Sequence, residues 1–151
     1  MALSAAYFVG ELNIPNISGT TITEQANLLQ LNIAIAKHEP LFLEMLLGED
    51  LYTAYAAGIA EPSPEAKWTA LDEKIYVENQ TLSIGFSPSA CYVYFMYMRN
   101  AVTNTLMNSE GQAAHENFTP MSSGPKMIQA WNEMVRMSND IQDWLNEDAQ
   151  Q

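Results

Sequence analysis

Apolar positions recur at helical spacing along most of this chain, and one stretch departs from that pattern by leaving no polar face at all. Cys91 to Met98 reads Cys-Tyr-Val-Tyr-Phe-Met-Tyr-Met and carries no charge. A helix that is apolar all round must be covered all round, by its own domain or by neighbouring subunits. Ser87-Pro88 supplies the cap and first-turn proline that start this helix. Its stripe is Cys91, Phe95, Met98, Val102 and Leu106, and polarity returns at Arg99 and Asn100.

Upstream, residues 1–20 contain Gly10, Pro15 and Gly19 and no helical period. They read as an extended arm with a short strand near Tyr7 to Leu12. Thr21-Ile-Thr-Glu24 has the capping-box spacing, so a helix is expected from there to about His38. Leu28, Leu31 and Ile35 form its inner stripe, with Leu29 and Ile33 flanking. Pro40 ends that helix and opens a short second one, Leu41 to Leu47, closed by Gly48. Glu49 and Asp50 favour the start of a third helix, where carboxylates meet the positive dipole end, and Gly58 stops it. Ser63 and Pro64 start a fourth through Trp68, Leu71 and Ile75. The alternation of Leu82, Ile84 and Phe86 predicts a short strand within Thr81 to Phe86.

Asn108 to Gly124 is a long connector holding Gly111 and Pro120, of the length that tends to carry function. The last helix begins at Pro125, with a seam of Met127, Trp131, Met134, Ile141 and Leu145 and with Ser138 at its middle. The fold class is therefore mainly α: a single-domain bundle of about five helices with an extended N-terminal arm and a long loop before the last helix. The divisions are an arm over 1–20, a helical domain over 21–146 and a tail over 147–151.

Composition narrows the function. The 151 residues are 48% hydrophobic, enough for one domain with a real core. Only 16% are charged, yet 18 Asp and Glu face 6 Lys and Arg, a formal charge of −12. Such a surface repels phosphates and excludes tight nucleic-acid binding through a basic patch. It still suits a wall that DNA passes without sticking. The one cysteine, Cys91, excludes an intramolecular disulfide and fits a reducing compartment. Met1 to Phe8 lacks a basic leader, and no apolar run reaches the roughly 18 residues of a spanning helix. The chain reads as soluble and intracellular.

Catalytic and metal chemistry find little support. Carboxylate metal sites in bundles use Glu-x-x-His, and neither His38 nor His115 has a carboxylate three residues earlier. Both histidines read as solvent-side residues. Asp140, Asp143 and Glu147 share one helical face, and without a glycine-bearing loop they read as a hydrated acidic surface. Cys91 sits in apolar surroundings that raise a thiol pKa and make it inert. There is no nucleophile elbow, phosphate loop or dinucleotide fingerprint. Nothing calls for a cofactor or a metal, and the chain reads as a non-enzyme.

The aromatic residues point to contacts. Tyr92, Tyr94, Phe95 and Tyr97 cover several faces of one helix, and tyrosine hydroxyls favour half-buried or interfacial positions. Tyr92, Tyr94, Tyr97, Arg99, Phe118, Trp131 and Trp144 are the candidate interface residues, with Arg99 paired to a carboxylate of its own or a neighbouring chain.

Three segments carry a family resemblance. Leu46-Leu-Gly48-Glu-Asp-Leu-Tyr52 resembles the Leu-Leu-Gly-x-x-Leu-Tyr turn of tailed-phage head–tail connector proteins. Tyr92 to Thr103 is similar to the central aromatic helix ending in Arg of such proteins in phages that infect Bacteroidetes. Lys126 to Met134 resembles the start of their last helix, and the three pieces together span about residues 40–145. The resemblance implies a structural virion protein, an adaptor or neck subunit in a homo-oligomeric ring beneath the portal that matches the portal's twelve-fold symmetry. It implies the portal protein and the next neck or tail protein as partners. It also implies DNA passing through the lumen without specific binding, and location in the virion after assembly in the host cytoplasm. The residues by themselves leave a second reading open: a cytoplasmic acidic helical module that masks a basic partner with its C-terminal helix.

Overall fold

The computed structural model describes residues 3–79, 84–107 and 124–148. The chain is mainly helical, and the described residues form five α-helices: α1 Ile22–Leu47, α2 Glu49–Ile59, α3 Ala66–Ile75, α4 Pro88–Met107 and α5 Gly124–Asp148. Two short strands, β1 Val77–Asn79 and β2 Ile84–Phe86, pair antiparallel with Val77 opposite Phe86.

The start of α1 follows directly from its sequence. Glu24 N–H donates to Thr21 Oγ1 at 3.2 Å, and the Glu24 carboxylate accepts from Thr21 N–H at 2.9 Å. Two amides that a helix start leaves unpaired are thereby satisfied. Hydroxyls of Thr20 and Ser18 and the Thr21 amide hold the Glu24 carboxyl down at about 2.

Pro40 does not end α1, contrary to the sequence expectation; the helix runs through it to Leu47. An internal proline costs about 3 kcal/mol, through a lost hydrogen bond and a ring clash. Beyond it, Phe42, Leu43 and Leu46 are all buried, in continuity with Leu31, Ala34 and Ile35 before it. Each such side chain contributes about 1.5–3 kcal/mol on burial, so three of them outweigh the proline. Packing, acting over the whole face, overrides the local signal. Gly48 then closes α1 at φ 79°.

Gly58 does not stop α2 either; it lies inside that helix, which continues to Ile59. A Cβ there would collide with the Trp68 indole, so the glycine serves close approach between α2 and α3. Tyr55 rings pack edge-on to Trp68, and the Tyr55 hydroxyl donates to Asp72 at 2.6 Å in the buried α2–α3 contact. The start of α3 is Ala66, two residues later than Pro64 suggests, with Glu65 as its cap residue.

The first residues depart most from expectation. Instead of a strand, two 3-10 turns, Ala5–Tyr7 and Gly10–Leu12, fold this segment onto the helices. Leu3, Tyr7, Phe8, Leu12 and Ile14 are buried core residues. Leu3 N–H donates to Glu39 Oε1 at 3.0 Å, the Tyr76 hydroxyl donates to the same oxygen, and Tyr7 packs edge-on to Tyr76. The expected strand is present as β2 over its described residues, 84–86, and its partner β1 lies in Val-Glu-Asn, which has no alternation to reveal it. Residues 80–83 and the connector 108–123, with His115 and Phe118, lie outside the described residues.

Helix α4 holds the arrangement together. It begins as expected at Pro88, with Ser87 Oγ accepting from Ser89 N–H at 3.1 Å and Ala90 N–H at 3.4 Å. Tyr92 faces α1, while Cys91 and Phe95 face α5, so α1 and α5 pack on different faces of α4. Most of the apolar surface noted in the sequence is thus covered by the chain itself.

Candidate interaction surfaces

The two helices flanking α4 both leave apolar side chains in solvent, and they do so differently. On α1 the helical repeat that buries Leu31, Ile35 and Phe42 leaves Leu29, Ile33, Leu41 and Met45 exposed, with Lys37 at the step between Ile33 and Leu41. Met45 is 63% exposed. The groove between this row and α4 consists of two separate hollows. One is a cavity of about 250 Å³ lined by Ile33, Lys37 and His38 of α1 with Tyr97 and Asn100 of α4. The other is more open and is lined by Leu41, Glu44, Met45, Glu49 and Tyr92.

His38 forms the floor of that groove. Expected on the solvent side, it is 4% exposed, because three residues after Ile35 and four before Phe42 it falls on the inner face of a continuous α1. Its ring packs edge-on to Tyr92 at 6.2 Å, and its Nδ1 has no hydrogen-bond partner among the described residues. Desolvation, with Lys37 and Arg99 nearby, depresses its pKa. Tyr92 is half-buried and stacks on Phe42 at 5.2 Å. Tyr97 is half-buried, and burial pushes its hydroxyl pKa up.

On α5 the exposed apolar side chains form a ridge. The buried seam is Ala130, Met134, Met137 and Ile141, rotated from the expected one so that Trp131 turns outward. Ser138 donates to the Met134 carbonyl at 2.7 Å and is satisfied within its own helix. Ile128, Trp131 and Val135, spaced by three and four, are 63%, 40% and 41% exposed. Trp131 leans on Phe95 at 4.9 Å, which fixes its ring against the body of the protein. The charged residues lie to one flank, where Arg136 pairs with Glu133 at 2.8 Å and Asp140 at 3.0 Å.

The sequence candidates therefore separate. Tyr92 and Tyr97 line the groove and Trp131 stands on the ridge. Tyr94 is 1% exposed and belongs to the core, so it presents nothing to a neighbour. Trp144 is half-buried on the other side of α5, with the Lys74 ammonium 5.8 Å from its ring. Arg99 is exposed beside the groove. Ile33, Leu41, Met45, Ile128 and Val135 were missed as surface features, although their three–four spacing is legible once α1 is drawn as one helix.

Cys91 is buried, and burial pushes its thiol up to about 12. Among the described residues no three His, Cys, Asp or Glu side chains are placed to hold a metal, and no helix is long and apolar enough to cross a membrane. Comparison with protein-family models, curated proteins and solved structures gives no match to this chain.

Proposed function

We propose that this chain is a structural subunit of a tailed-phage neck, assembling as a ring beneath the portal that joins capsid to tail and extends the DNA channel. The observation that supports the reading is the pair of unlike apolar surfaces on the two helices that pack on α4, hollows beside α1 and a ridge on α5. A ring subunit needs two different flanks that are complementary to each other, because head-to-tail contacts close into rings whereas a single self-complementary patch stops at a dimer. Solitary apolar residues on a surface need no explanation, but rows of three and four on two outer helices do.

Charge supports the same role. With 18 acidic against 6 basic side chains, a lumen built from this chain would not hold a phosphate backbone by counterion release. The test is to mix the purified chain with the portal protein of the same phage and examine the particles by electron microscopy. An added ring of density beneath the portal is expected. Portal particles that remain unchanged at saturating chain, while the chain instead captures a basic cytoplasmic protein, would overturn the ring in favour of an acidic masking module.

A further inference from the structure

We infer that the cavity between α1 and α4, over His38, binds a small carboxylate anion, at a site independent of the ring reading above. Gln30, Lys37 and His38 of α1 and Tyr97 and Asn100 of α4 give this cavity its polar lining, and Ile33, Ala34 and Ala101 give it an apolar wall. Its 250 Å³ has room for a short-chain acid and a few waters, at roughly 30 Å³ of liquid volume per water. No carboxylate stands among the described lining residues, although 18 acidic side chains face 6 basic ones in the whole chain. Lys37 forms no ion pair among the described residues, and Arg99 is close enough to act on His38. Two cations therefore stand at one hollow that no acid lines, and the local field favours an anion.

His38 supplies a donor that has nothing to meet. The residue is 4% exposed, its ring lines the cavity, and its buried Nδ1 has no partner among the described residues. A buried N–H without an acceptor costs more than a bare acceptor nitrogen, so the neutral ring is assigned its proton on Nε2. Since Nδ1 is the shut-in nitrogen, the edge that lines the cavity is the one carrying Nε2–H. The half-buried Tyr97 hydroxyl likewise has no hydrogen bond among the described residues. With the Lys37 ammonium and the Gln30 and Asn100 amides, these groups make a set of donors suited to a charged acceptor. A carboxylate fits better than a phosphate, because one ammonium lines the cavity and the apolar wall takes a short hydrocarbon tail. The ionisable groups facing His38 are Lys37 on its own helix and Arg99, Tyr92 and Tyr97 on α4. A bound anion offsets the two cations among them, so binding draws a proton onto His38.

The test probe is butyrate, with butylamine as a cation of the same chain length and inorganic phosphate as a second anion. The readout is the His38 imidazole signal in NMR spectra of the full-length chain, told from that of His115, the other histidine, by its persistence in His115→Gln. Butyrate should shift this signal saturably, with half-saturation on the order of 1 mM. It should also move the titration midpoint upward and bind more tightly at pH 6 than at pH 8, while butylamine leaves the signal where it is. Lys37→Glu should weaken butyrate binding about tenfold or more. Ala101→Phe, which fills the cavity and changes no charge, should abolish it. Both positions are exposed, and circular dichroism checks that each variant stays helical. A butyrate shift that never saturates, that persists in Ala101→Phe, or that butylamine reproduces overturns the site. Phosphate binding as tightly as butyrate overturns the carboxylate assignment. No arm contains the portal protein, so the site and the ring reading fail separately.

Discussion

Helices α1 and α5 both pack on the central helix α4, and they leave unlike surfaces behind. Helix α1 buries a broad face, from Leu31 through His38 to Leu46, and its leftover apolar residues border a groove. Helix α5 buries a narrow seam of four residues and raises a separate apolar row, with charge confined to one flank. The difference shows where the all-round apolar character of α4 goes. It is absorbed within the chain, and the exposed apolar surface moves outward to the two flanking helices.

The sharpest way to break this comparison is to show that core and ridge cost the same to disrupt. Tyr94→Ala, in the core, should lose about 3–5 kcal/mol in urea unfolding, whereas Val135→Asp should stay within about 0.5 kcal/mol. A large loss at Val135 would make the ridge part of the fold. Next comes the helix start on which the groove depends: Thr21→Ala should cost about 1 kcal/mol by removing the cap, read from the same urea midpoint.

The groove floor is open to a pH test. His38 titrates lower in the folded chain than unfolded, so the unfolded state binds the proton first. Stability from this residue is complete above the ordinary histidine pKa of about 6.5 and is lost as pH falls below it. Urea midpoints should therefore drop between pH 7.5 and 5, and His38→Leu should flatten that slope; an unchanged slope would remove His38 from the floor. The smallest effect belongs to the charged flank of the ridge. Arg136→Ala, in a fully solvated ion-pair cluster, should leave the unfolding midpoint where it is, as a thermal melt in low and high salt would show.

Helix starts were the most legible part of the chain. Thr21 with Glu24, Ser87 with Pro88, and the Gly124-Pro125 entry each carry their signal within four residues, and all three helices begin there or one residue away. What misled were residues whose meaning depends on distant partners. Pro40 reads as a stop until the buried face on both sides of it is counted, and Gly58 reads as a stop until Trp68 is seen against it. The lack of a metal partner makes His38 read as a solvent-side residue, whereas its helical phase places it on the inner face. Leu3 to Ile14 has no periodicity because it is held by contacts with Glu39 and Tyr76, far along the chain. The groove and ridge were half legible: Tyr92, Tyr97 and Trp131 were named, while their aliphatic companions needed an unbroken α1 and the true rotation of α5.

Cys91 has one more consequence. As the chain's one thiol, shut inside and reluctant to ionise, it reacts with an alkylating reagent only when α4 separates from its neighbours. The labelling rate therefore clocks how often the protein opens. Run on free chains and again on finished particles, the clock would report how much incorporation slows that breathing, with no residue changed to install it.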